Sequence, residues 1–229
     1  MESSDQLLKQ KEKHLSEQSN NLFDVKSFLK QDKISSSDFN KIYKIKSKQT
    51  NETYIAKKFS QEIYQSPFYI ISRYMQEVQT LLRATHPSIV KYLGFSPNSF
   101  NEYSSKPIIL TEFLLNGTLE QIINDNNKSL NDTDKLITIY GIANAISFLH
   151  SNNIIHRNIE PSHVLFDSNY HPKICGFGSS KTISSVSYCQ LVGKPGYIAP
   201  EVYLNYNYSK ASDVYSFAFL VYAIMTNKT

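Results

Sequence analysis

A change of apolar period partway along the chain limits what it can fold into. In "KIYKIKSKQTNETYIAKKF", from Lys41, two runs rich in Ile and Tyr flank the turn-prone "KQTNE", which predicts two strands. "RYMQEVQTLLRATHPSIVKYLGF" then places Met75, Val78, Leu81 and Leu82 at helical spacing until Pro87 prevents continuation. Another strand, "PIILTEF", ends at the turn residues Asn116 and Gly117. Beyond it Leu136, Ile139, Ile142, Ala143, Ile146 and Leu149 form one helical stripe. Strands first and helices second predict an α+β protein of two lobes. The chain has 229 residues, 41% of them hydrophobic, enough for a real core.

Charge and targeting features exclude several classes. The formal charge of +4 is modest and the lysines are scattered among acids, so no nucleic-acid partner is expected. The first residues lack the apolar core of a secretory signal. The longest apolar run, "FAFLVYAIM" from Phe217, falls short of the ~20 residues a bilayer span needs and predicts a buried helix. No membrane partner is expected, and a cytoplasmic location follows. Cys175 and Cys189 make no metal or redox spacing. Residues 1–33 read as a polar, helix-compatible extension in which Leu8, Leu15, Leu22 and Leu29 recur at intervals of seven, a weak coiled-coil pattern.

The pieces, taken in order, resemble a eukaryotic protein kinase domain of the serine/threonine or tyrosine-kinase-like type. "YIAKKF" resembles the strand carrying the nucleotide lysine, here Lys57, and "YMQEVQTLL" the helix supplying its partner, Glu77. "ILTEFLLNGTL" looks like the hinge, with Thr111 as gatekeeper and Glu112 to Leu114 facing adenine. "IIHRNIEPSHVLFD" is similar to the catalytic loop HRDLKPxN, "KICGFG" to the metal-binding DFG, "GKPGYIAPE" to GTPxYxAPE and "SDVYSFA" to DVWSFG. The resemblance implies a two-lobed kinase fold: a small lobe and hinge over 34–113, with an antiparallel sheet and one helix, and a mainly helical large lobe over 114–229. That lobe would be incomplete, since only "TNKT" follows the last apolar run and apolar surface would be left uncovered.

Measured against that pattern, the chemistry is altered at each step. Asn158 stands where the catalytic Asp would be, and an amide cannot take up the hydroxyl proton; such a base contributes about 100- to 10,000-fold. Glu160 replaces the family's lysine and reverses the local field. His163 and Gly176 occupy the two metal-ligand positions, where magnesium wants hard oxygens, so magnesium is not expected. Ser35, Ser37 and Asn40 replace the three glycines of the phosphate loop, although Asn40 tolerates a left-handed conformation. Lys194 replaces the threonine of GTP.

What the resemblance retains is structural. Lys57 and Glu77 can pair, while Leu81, Tyr92, His156 and Phe177 match the family's stacked spine, anchored by Asp213. Arg157 matches the residue that meets a phosphate on the activation segment, which here offers Ser179, Ser180, Thr182, Ser184, Ser185, Ser187 and Tyr188. The expectation is therefore not an enzyme but a pseudokinase, a scaffold for a protein partner such as an active kinase, binding ATP weakly without a metal. Three alternatives stay open: a weakly active protein kinase, a metal site built from Glu160 and His163, and a degenerate chain without function.

Overall fold

In a computed structural model of the chain, the described residues are 22–61, 68–100, 106–125, 129–182 and 191–228. They form two compact units. The first comprises the described residues up to Val78 together with Lys91–Phe113, and the second comprises Gln79–Val90 and the described residues from Leu114 onward. No described helix is long and apolar enough to cross a membrane.

The first unit is built on an antiparallel sheet: β1 (Phe28–Ser36), β2 (Asn40–Ser47), β3 (Thr53–Phe59), β4 (Tyr92–Ser96) and β5 (Ile108–Glu112), in the order β1-β2-β3-β5-β4. The period of two along β2, β3 and β5 sorts side chains to opposite faces. One face buries Tyr43, Ile45, Ala56, Ile108 and Leu110 beneath Val25, with Phe23, Phe28, Tyr54, Leu93 and Phe100 packed around them. The other carries Ile42, Ile55, Lys57, Ile109 and Thr111, aligned by the register Ile42↔Lys57↔Ile109 and Ile55↔Thr111. Helix α1 (Phe68–Arg83) joins this second face through Tyr74, whose ring meets Phe59 edge-on at 4.9 Å, and buries Met75 and Val78.

The extension expected over residues 1–33 is corrected at its C-terminal end. Leu22 bridges Phe95, Val25 is buried in a short 3-10 turn, and Leu29 lies in β1. Phe23 and Phe28 stack edge to face at 5.5 Å, so the sheet's apolar face gains aromatic cover that a solvated helix would forgo. Burying one such side chain is worth about 1.5–3 kcal/mol, more than helix propensity over the same few residues. Leu8 and Leu15 lie outside the described residues.

In the second unit, α2 (Leu119–Asn124) opens with a capping box between Thr118 and Gln121. Helix α3 (Asp132–Ser151) is capped by Asn131, whose side chain accepts the Asp134 amide. The stripe it buries is Thr138, Gly141, Ile142, Ala145, Ile146 and Leu149. This corrects the predicted one at its start, because Leu136 is 67% exposed. Gly141 sets the contact with Pro172: a Cβ there would lie 2.7 Å from Pro172 Cγ. After β6 (Ile154–Ile155) come β7 (Val164–Phe166) and β8 (Pro172–Ile174), a hairpin, and β9 (Lys181–Thr182), which pairs with β6. Helices α4 (Pro200–Asn205) and α5 (Lys210–Thr226) follow. The run "FAFLVYAIM" is buried on one side only: Leu220, Ala223 and Ile224 are inside, whereas Tyr222 and Met225 are exposed.

Candidate active site

In the first unit, alternation along β3 puts Lys57 on the face met by α1. Its Nζ donates to both carboxylate oxygens of Glu77, at 2.7 and 2.8 Å. Glu77 is buried and Lys57 nearly so, so the pair gains from a lowered local dielectric and from charge-assisted hydrogen bonding. Thr111 lies on the same face as Lys57 through its register with Ile55. Glu112, expected to face adenine, accepts the Lys91 amide through its Oε1 at 2.7 Å, and its own amide donates to the Lys91 carbonyl. Leu114 is buried in the second unit.

The turn between β1 and β2 is closed by Ser37. Its amide donates to the Asn40 carbonyl at 2.8 Å, and its hydroxyl accepts the Asn40 amide at 3.2 Å. Ser35 pairs with Ile42 inside the ladder. Asn40 is not among the residues with positive φ, so the left-handed conformation expected of it is not used. The serine hydroxyl ties the turn by local hydrogen bonds, as Ser does at turns, and no strained backbone is needed.

In the second unit the loop after β6 is hung from one carboxylate. Asp213, fully buried near the start of α5, accepts the amides of His156 and Arg157, each at 2.8 Å, and a His150 ring nitrogen at 2.9 Å. These bonds hold Arg157 at φ +68°, a conformation unfavourable for a residue bearing a Cβ. His156 is fully buried, with its ring edge-on to Phe177 at 4.9 Å. Its Nδ1 accepts the Asn158 amide, so Nε2 carries the proton and donates to the Cys175 carbonyl at 2.9 Å. Burial pushes its pKa down to about 4, with Asp213 opposing, and the ring is neutral. Leu81, the other spine position in this unit, is buried. Tyr92 belongs to the first unit, and burial raises the pKa of its hydroxyl.

Asn158, Glu160, His163 and Gly176 are brought together. His163 Nδ1 faces the Asn158 carbonyl at 3.1 Å and Glu160 Oε1 at 3.3 Å; both are acceptors, so Nδ1 carries the proton. Glu160 is also bonded by the Ser162 hydroxyl at 2.5 Å. The imidazole lies over Gly176, where a Cβ would come within 2.6 Å of Cδ2 and 2.8 Å of Cγ. The ring thus fills the space in which a side chain at 176 would begin. A magnesium ion, which the resemblance implies, does not fit this donor set: Gly176 has no side chain, and His163 offers a nitrogen where a hard oxygen is wanted.

Sequence reasoning missed several of the partnerships that the structure shows. Arg157, expected to await a phosphate, donates from Nε to the Ser179 carbonyl, with its guanidinium 5.0 Å from the Tyr208 ring centroid. Tyr208 also grips Val192: its hydroxyl accepts the Val192 amide at 2.6 Å and donates to the Val192 carbonyl at 2.7 Å. Of the hydroxyls offered for modification, Ser179 and Ser180 are buried, while Ser184, Ser185, Ser187 and Tyr188 lie outside the described residues. Lys194 donates to Glu120 at 2.9 Å, and its pKa is raised by that bond and further by Glu160. Only the spacing of Tyr208 before "SDVYSFA" could have hinted at its role.

Comparison with known proteins bears on what this arrangement belongs to. Residues 28–229 match the family model described as Protein kinase domain. The chain is 30% identical over 214 residues to calmodulin-binding receptor-like cytoplasmic kinase 2 of Arabidopsis thaliana, covering 89% of this chain and 51% of that protein. It is 31% identical over 210 residues to cysteine-rich receptor-like protein kinase 25 of the same plant, covering 88% and 30% respectively. Against the probable serine/threonine-protein kinase drkD of Dictyostelium discoideum the identity is 31% over 159 residues, 69% of this chain and 12% of that protein. The chain spans about half or less of the length of these relatives. These matches overturn the expectation that the chain is not an enzyme: the family model and the relatives named as kinases point to a protein kinase.

Proposed function

Because the chain belongs to the protein kinase family, we propose that it transfers a phosphoryl group from ATP to a hydroxyl group of a protein substrate, at low turnover. The observation that carries this reading is the Lys57–Glu77 pair, at 2.7 and 2.8 Å, which holds an ammonium group oriented and largely desolvated on the sheet of the first unit. Phosphoryl transfer asks little covalent chemistry of the protein; positioning and electrostatic stabilisation of phosphate charge do most of the work. Lys57 would supply a fixed positive charge to the nucleotide phosphates, and Glu77 would keep it in place. In the second unit Asp213 fixes the backbone of the loop that would present the acceptor hydroxyl.

The same geometry sets the rate low. Asn158 takes up no proton, which forgoes about 100- to 10,000-fold, so turnover falls well below the ~1–100 s⁻¹ usual for kinases. No step is assigned to a metal, and ATP binding is proposed to be weak and insensitive to magnesium. The test is single-turnover transfer from labelled ATP by purified protein, with Lys57→Met as comparator. Transfer by the wild type that disappears in the variant is expected; transfer indistinguishable between the two sinks the reading. A thermal-shift titration with ATP, with and without magnesium, reports binding separately from chemistry.

A further inference from the structure

The first unit gathers lysines that are far apart in sequence. Lys41 on β2 stands directly opposite Lys58 on β3, and like charges paired across antiparallel strands are destabilising. Lys30 on β1 reaches the same face, opposite Ile45, with its ammonium 4.2 Å from the centroid of the Tyr43 ring. Lys106 leads into β5 and completes the group. The pKa of Lys58 is lowered, by burial first and then by the charges of Lys106, Lys30 and Lys41 in turn. No carboxylate is among the groups acting on Lys58, and among the described residues none of the four lysines is ion-paired.

An uncompensated array of this kind lowers folding stability, and its use is to attract an anion. The character of the array narrows the class. All four groups are ammonium point charges, with no guanidinium fork for bidentate capture of a single phosphate, which suits a diffuse anionic surface. Apolar side chains of the same hairpin are also exposed: Ile34 on β1 and Phe39 in the turn before β2 are 54% and 48% exposed. Basic groups beside apolar ones are the composition of an interfacial docking face.

Contrary to the expectation of no membrane partner, we propose that the part of this sheet face lying outside the cover of Val25 and its apolar neighbours docks the protein on an anionic phospholipid surface through Lys30, Lys41, Lys58 and Lys106. The proposal is independent of phosphoryl transfer. It is tested by sedimenting the full chain with phosphatidylcholine vesicles, pure or mixed with phosphatidylserine at about three to one. Binding to the mixed vesicles only, falling steeply with added salt, is expected. Each lysine near such a surface is worth about fivefold in partition, so Lys41→Gln with Lys58→Gln lowers it about twenty- to thirtyfold. The matched control, Lys44→Gln with Lys46→Gln, removes two charges from the opposite face of the same strand and leaves partition unchanged. A thermal midpoint no lower than wild type confirms that the first pair of changes leaves the fold intact, since it relieves repulsion. Equal binding to both vesicle types, equal loss in the two double variants, or capture of an acidic peptide or oligonucleotide with no vesicle binding overturns the proposal.

Discussion

At the scale of single residues, Gly176 and His163 are sterically coupled. The imidazole lies where a Cβ at 176 would be, within 2.6 Å, and Gly176 itself sits at φ +88°. A side chain at 176 therefore meets two penalties, one of overlap and one of backbone. Gly176→Ala is expected to cost about 1–3 kcal/mol in urea denaturation. In a His163→Ala background the overlap is gone and only the left-handed backbone cost of about 1–2 kcal/mol remains. A double-mutant cycle gives the difference, and strict additivity of the two changes contradicts the contact. Restoring the family's aspartate at 176 alone is disfavoured for the same reason.

At the scale of elements, Arg157 and Tyr208 tie Ser179 and Val192 to the second unit. Tyr208 grips the Val192 backbone through two hydrogen bonds, while its ring faces Arg157, which in turn binds the Ser179 carbonyl. Ser179 and Val192 are thus tied to neighbouring groups by uncharged donors and acceptors and one guanidinium. Tyr208→Phe keeps the ring beneath Arg157 and removes both bonds to Val192. Hydrogen exchange at the Val192 amide should then accelerate by an amount equivalent to about 1–2 kcal/mol, with little change in α5. Unchanged protection at Val192 would show that the hydroxyl contributes nothing to holding the segment.

At the scale of the whole molecule, buried His156 links stability to pH. Its folded pKa is pushed from 6.5 to about 4, so the folded state prefers the neutral ring and the unfolded chain binds the extra proton first. The contribution is fully present above about pH 6.5 and is lost as pH falls toward 4, by up to roughly 3 kcal/mol. Unfolding followed against pH should show this limb in wild type and a flatter one in His156→Leu, whatever that change does to stability at neutral pH. An identical slope in both proteins would assign the limb to other groups. The α+β class was legible from local apolar period, and the Lys57–Glu77 pairing and the anchoring role of Asp213 from the resemblance of short strings to a protein kinase domain. The reach of the first unit back to Leu22 was not legible, because a polar stretch with a few aromatic residues gains a strand only when an apolar sheet face is there to receive it. Nor was the clash that couples His163 to Gly176, since they are far apart along the chain and only the packed loops set their spacing. The lysines make the same point for electrostatics. Residues 30, 41 and 58 look scattered in a chain of modest net charge, and only strand register, fixed by which side chains the sheet buries, brings their charges onto one face.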